Sequence, residues 1–126
     1  MKSEKTKFLF MSPVLASADV AKDIEWYETK LGFKNVYDST HYQEGPVDYA
    51  VVGRQNLYLH LQFQFPADMI STDIRFQVQN IMPLFEEFKA NGLIDDKQLQ
   101  KQTAWHTCEF TFFDLSRNRL TFYEDL

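Results

Sequence analysis

The sequence predicts one α+β domain made of two similar halves, each running strand, helix, then further strands. Three observations carry this. An apolar strand-like stretch leads into a helical pattern in each half, the two helices share their core spacing, and each helical pattern stops at a glycine. The helix cores Val20/Ile24/Tyr27 and Ile81/Phe85/Phe88 both step by four and then three residues, offset by 61 positions. That agreement reads as a duplication.

Along the chain, Phe8 to Ala16 is apolar and contains Pro13, which suits an edge strand or one that leaves its own sheet. Ser17 or Asp19 can cap the first helix, and Gly32 ends it. Phe33 to Asp38 reads as a strand, His41 to Pro46 as a turn, and Tyr49 to Val52 as strand again. A tight turn over Gly53-Arg54-Gln55-Asn56 leads into Leu57 to Phe63. There alternation sets the leucines on one face and Tyr58, His60 and Gln62 on the other. In the second half, Ile74, Phe76 and Val78 alternate as a strand. Asn80 is placed to cap a helix with Pro83 in its first turn and Gly92 at its end. Asp95 to Gln102 is a polar loop, and Glu109 to Phe113 with Leu120 to Tyr123 form a hairpin.

Composition narrows the function. The net charge of −5 argues against nucleic acid, whose phosphates need a basic patch. No apolar run approaches the roughly 20 residues of a membrane span. The polar start, Met1 to Lys7, has no signal-peptide apolar stretch behind it, and Cys108 is the single cysteine, so the expected location is cytoplasmic. Aromatic residues are 16% of the chain, more than so small a core requires, which leaves aromatic surface for a groove or a subunit interface.

Three stretches carry a resemblance. They are Ser12 to Val20 with Trp26-Tyr27 and Leu31-Gly32-Phe33; Asp48 to Val52 with Leu57 to Leu61; and Trp105 to Phe110 followed by Asp114 to Phe122. In order, they resemble the opening strand and helix, the central strand pair and the closing "WGxxEF…DPxGN" segment of the glyoxalase/bleomycin resistance (vicinal oxygen chelate) superfamily, nearest its bleomycin resistance branch. The resemblance implies two βαβββ modules, module one about residues 8–65 and module two about 72–126. It further implies a curved mixed sheet with a cupped groove, completed as a homodimer, with Pro13 at the hinge of a first strand that crosses to the partner. Two departures stand out. His106 replaces the glycine after the tryptophan, and Leu115 and Arg117 replace the Pro and Gly of the closing turn.

Superfamily enzymes hold a divalent ion at four strand positions, which carry over to Ser12, Tyr58, Asp73 and Thr121. Only Asp73 is a usual ligand, whereas a catalytic ion needs about three protein ligands. The resemblance therefore implies no catalytic residue, no metal and no cofactor, but a protein that sequesters a small molecule such as an aromatic or cationic drug. The alternative is a metal-dependent lyase or dioxygenase with a relocated site, for which His60, His106 and Cys108 are the available donors. Cys108 activated by His106 is a further reading, set against a buried inert thiol. By motif the groove walls are Tyr37, Tyr49 and Trp105, with Tyr58 and His60 on the sheet behind them. His106 and Arg75 complete the candidate ligand-binding residues. A cation at Arg75 would repel a positively charged drug and favour an anionic one. Trp26 is expected to pack in the core or at an interface and not to contact ligand.

Overall fold

The computed structural model describes residues 5–126; residues 1–4, part of the polar start read above, lie outside them. In chain order the elements are β1 (Val14–Ser17), α1 (Val20–Lys30), β2 (Lys34–Asp38), β3 (Tyr49–Arg54), β4 (Leu57–Phe63), β5 (Asp73–Gln77), α2 (Ile81–Ala90), β6 (Thr107–Phe113) and β7 (Arg119–Asp125). They form two mixed sheets, one ordered β1-β4-β3-β2 and the other β5-β7-β6. In each sheet the module's first strand lies parallel to its last (β1 on β4, β5 on β7), and the other pairs are antiparallel. The second half lacks a full counterpart of β2. Its place is held by one bridge from Gln100 to Glu109, because the polar loop before β6 supplies no alternating apolar residues.

The first strand is shorter than expected. Regular pairing begins at Val14, and residues 5–13 have no regular structure. Pro13 can accept from His60 N–H through its carbonyl but has no N–H to extend the ladder. Phe8, Leu9, Phe10 and Met11 are consequently exposed.

Asp19 caps α1, its carboxylate accepting from Lys22 N–H at 3.2 Å. Asn80 does not cap α2 with its side chain, because its backbone is left-handed (φ 64°). Instead the Glu124 carboxylate reaches across from β7 and accepts from Asn80 N–H (2.7 Å) and Ile81 N–H (3.0 Å). A negative charge at that helix end also meets the positive pole of its dipole.

One core takes residues from both halves. Val20, Tyr27 and Leu31 of the first helical segment meet Leu59 and Leu61 of β4, and the same cluster includes Ile81, Phe85, Phe88, Phe110 and Phe122. Phe76 and Phe122 stack at 4.4 Å, and Phe88 sets its edge against Phe110, Phe112 and Phe122. Trp26 packs edge-on to Tyr27 and Phe112, as expected of a core residue. The duplication shows in one contact. Lys30 Nζ donates to the Asn91 carbonyl (3.0 Å) and Asn91 Nδ2 donates to the Lys30 carbonyl (2.9 Å), so residues 61 positions apart bond reciprocally.

A buried polar knot also joins the halves. Asp114 Oδ2 accepts from Tyr27 OH (2.7 Å) and Asn118 Nδ2 (2.9 Å), while its Oδ1 accepts from the backbone N–H groups of Ser116 and Asn118. Asp23 accepts from Ser17 and Ser116 hydroxyls at 2.5 and 2.6 Å, and Asn118 Nδ2 also donates to the Ala16 carbonyl. Arg117, standing where the closing turn usually has glycine, has φ 70°. The turn thus keeps its left-handed residue without the glycine.

Candidate functional site

Each sheet buries one face on the helices and leaves the other open. On the first sheet, Tyr37, Val51, His60 and Val14 stand opposite one another in a single row across all four strands. Tyr49 and Gln62 form the next row on that face, and Gly53 and Tyr58 another. Tyr49 OH lies 2.6 Å from His60 Nδ1, and the Tyr58 ring lies on Gly53, where an added Cβ would be 2.8 Å from it. Tyr37 stacks on His41 at 4.6 Å and is half exposed. Four of the sequence-derived residues, Tyr37, Tyr49, Tyr58 and His60, therefore share this face.

Arg75 on β5 and Trp105 on the turn before β6 are gathered at the second sheet by Glu109. Its Oε1 accepts from Thr107 Oγ1 (2.6 Å), Trp105 Nε1 (2.9 Å) and Arg75 Nη2 (3.1 Å). Burial pushes the Glu109 carboxyl upward, but those three bonds and the Arg75 charge outweigh it and hold it below the usual carboxylate range. The Arg75 guanidinium also lies over the Tyr123 ring, 4.5 Å from its centroid. Trp105 stays 60% exposed despite its N–H bond, so its ring presents free apolar area. Sequence reasoning passed over Glu109 and Tyr123. The available signal was a carboxylate inside an apolar strand, on the alternate face from Phe110 and Phe112.

His106 is exposed on the turn before β6, with φ 66°, so this departure from the resemblance, like Arg117, occupies a left-handed position. Cys108 is buried, and burial first, then Glu124 and Glu109, push its thiol pKa up. That setting does not favour a thiolate.

The four positions carried over for a metal do not fit one. Thr121 Oγ1 is engaged with Thr111 Oγ1 at 2.7 Å and stands opposite Arg75, while Asp73 is exposed and faces Arg119 at 3.7 Å. Ser12 and Tyr58 add only a hydroxyl and a phenol. Among the described residues, no three His, Cys, Asp or Glu side chains group closely enough to hold an ion, so His60, His106 and Cys108 do not converge.

Two cavities lie at the seam between the sheets. One, about 490 Å³, is lined by Phe33, Leu84, Asn80 and the Arg54–Glu87 pair. There Arg54 is held by bonds of 2.7 and 2.9 Å to Glu87 and 2.6 Å to the Leu31 carbonyl, which use three of its five N–H groups. The other, about 470 Å³, lies between β4, β5 and the segment before β1, and includes Tyr58 and Arg75.

Solved structures resemble this fold along nearly its whole length. The bleomycin-binding protein of bleomycin-producing Streptomyces verticillus, complexed with copper(II)-bleomycin, matches with a TM-score of 0.71, at 24% identity over 94% of this chain and 97% of that one. The fold is that of the glyoxalase/bleomycin resistance proteins. TioX from Micromonospora sp. ML1 matches at a TM-score of 0.77 and 16% identity, covering 94% of this chain and all of TioX. A glyoxalase-related enzyme from Clostridium phytofermentans matches at 0.70 and 21% identity, covering 98% of this chain and all of the enzyme. The sequence itself matches no protein-family profile and no curated protein. No helix among the described residues is long and apolar enough to cross a membrane.

Proposed function

We propose that this chain binds an aromatic small molecule without a metal, sequestering it as bleomycin resistance proteins do. The observation that carries the reading is the pairing of open, aromatic sheet faces with metal positions that hold Ser12, Tyr58 and Thr121 instead of ligands. Tyr49, Tyr58 and Trp105 supply flat surface for stacking, and His60, Arg75 and His106 supply polar contacts. The fold shared with a protein solved around copper(II)-bleomycin is consistent with a drug-sized ligand.

The working form is a homodimer. Phe8 and Met11 are each 94% exposed, more apolar surface than a short segment leaves in water unaided. The aromatic walls also lie on two separate sheets, so facing one chain's first sheet with its partner's second would close a groove between them. A cytoplasmic site, where a lone thiol stays reduced, suits Cys108, and resistance to a sequestered drug is the expected phenotype.

Isothermal titration against bleomycin and a panel of flat aromatic drugs tests the reading, with sedimentation alongside. The expected result is saturable heat with quenching of Trp105 fluorescence, in a Trp26→Phe background, and a two-chain mass. No heat and no quenching across the panel would remove the drug-binding claim. Stoichiometric zinc, iron or manganese in protein purified without chelator would overturn the metal-free one.

A further inference from the structure

We infer that Glu109 is the positioning residue of the second sheet's open face, fixing the Trp105 indole and cancelling the Arg75 charge so that the face accepts a neutral or cationic aromatic ligand. The inference rests on the aromatic-binding reading above and names the ligand class within it.

Glu109 is itself held firmly. On one side it stands opposite Tyr123 of β7, and on the other its backbone exchanges two bonds of 2.9 Å with Gln100. It is 5% exposed, and its Oε1 gathers donors from β5 (Arg75), from the turn before β6 (Trp105) and from β6 itself (Thr107).

Trp105 lies on that turn and is 60% exposed, so little packing restrains its ring. Two routes hold it, and both end at Glu109. The first is direct, the bond of 2.9 Å from Nε1. The second runs through the base of the turn, closed by buried Thr103 and Thr107. Thr107 N–H donates to Thr103 Oγ1 at 3.0 Å, and the two hydroxyl oxygens lie 2.8 Å apart. Burial pushes the Glu109 carboxyl up, but its bonds outweigh burial and keep it ionised, so it can only accept. The Thr107 hydroxyl therefore gives its one proton to Glu109, at 2.6 Å, and the Thr103 hydroxyl donates to Thr107. An indole oriented before the ligand arrives removes an ordering cost from binding.

A lone guanidinium beside aromatic walls would repel a cation. Here Arg75 Nη2 lies 3.1 Å from the Glu109 carboxylate, and the guanidinium carbon is 4.5 Å from the Tyr123 centroid. Its charge is thus met within the face. Arg119 and Asp73, on the same face of β7 and β5, are also matched, at 3.7 Å. Trp105 and Tyr123 therefore offer aromatic surface in a balanced field, which removes the reason for Arg75 to favour an anion.

The test uses a Trp26→Phe background, in which Trp105 is the only tryptophan. In the unliganded chain, Trp105 Nε1–H should exchange with solvent more slowly than that of free tryptophan, and its fluorescence anisotropy should lack a large fast-decaying component. Glu109→Leu should speed the exchange and add that component. Glu109→Gln keeps an acceptor oxygen and should restore the wild-type behaviour. Binding is read by titration calorimetry with two probes of one ring system, 2-naphthylmethylammonium and 2-naphthylmethanol. Wild type should bind both with similar affinity. Glu109→Gln should weaken the cation about fivefold at low ionic strength, less as salt is raised, and leave the neutral probe unchanged. Glu109→Leu should weaken the neutral probe as well, by about twofold to tenfold, the cost of ordering a freed indole. Glu86→Gln, exposed on α2, should alter none of these readings. A wild-type chain that already discriminates against the cation by the Glu109→Gln factor, or whose Trp105 Nε1–H exchanges as fast as free tryptophan, would overturn the inference and leave the aromatic-binding reading in place. Neither measurement needs a variant to fold. Equal loss of both probes in a folded Glu109→Gln would overturn it too. Binding of neither probe to wild type would overturn both.

Discussion

Replacing Tyr27 by Phe isolates the contact that ties the first helix to the closing turn. The ring of Tyr27 is fully buried, and its hydroxyl donates to the buried Asp114 carboxylate at 2.7 Å. The substitution keeps the ring and its edge contact with Phe33 at 5.9 Å, so the packing term changes little. What is lost is one hydrogen bond to a charged acceptor, worth ~1.5–3 kcal/mol. Asn118 Nδ2 remains on the same oxygen, which places the expected cost near the middle of that range. For a chain of 126 residues, 1 kcal/mol corresponds to about 4 °C in Tm, so thermal unfolding should fall by about 8 °C. Urea unfolding should show the loss as a lower midpoint at constant slope. Asp114→Asn and the double variant complete a cycle whose coupling should exceed ~1 kcal/mol. A Tyr27→Phe cost below ~0.5 kcal/mol, or additive single costs, would refute the claim that this bond joins the two halves.

Arg117→Gly relieves a left-handed side-chain residue and should stabilise by ~0.5–1 kcal/mol after the entropy of a freer unfolded chain is counted, raising Tm by a few degrees in calorimetry, whereas Arg117→Ala should be neutral. Phe88→Ala removes a fully buried ring that touches three others and should cost ~3–5 kcal/mol in denaturant unfolding. Burial raises the Asp23 carboxyl above its usual value of 3.8 against the lowering bonds from Ser116 and Ser17, so the native state holds that proton more tightly than the unfolded chain. Its contribution therefore falls as pH rises through the raised value, and Asp23→Asn should cost more near pH 4 than at pH 7 in paired urea titrations.

The sequence disclosed what depends on periodicity and missed what depends on distance. Element order, both helices, the hairpin and the outward face of β4 were legible because each follows from spacing within one segment. The length of β1 was not, since whether Phe8 to Met11 pair depends on a neighbour the segment does not encode. Asn80 looked like a helix cap because its residue type favours one; Glu124, 43 positions from Ile81, performs the capping instead. Arg75 was legible only as a charge. Its partner Glu109 lies 34 positions away, and alternation along β6 gave no sign of which strand it would face.

The two departures from the resemblance now have a physical reading. His106 and Arg117 stand where glycines were expected, and both keep positive φ, at 66° and 70°. Each is held by bonds that fix the turn around it. His106 N–H reaches the Thr103 carbonyl and its own carbonyl accepts from Leu126, while Arg117 N–H reaches the Asp114 carbonyl. The Asp114 side chain secures the same turn through Ser116 and Asn118, each anchored in turn to the first half. Loss of the two glycines has thus been absorbed as local strain, of order 1–2 kcal/mol for each left-handed side-chain residue, and not as a change of fold. Asp114 and Asn118 are therefore the residues of the closing motif that cannot be exchanged, and the glycine position is the one that can.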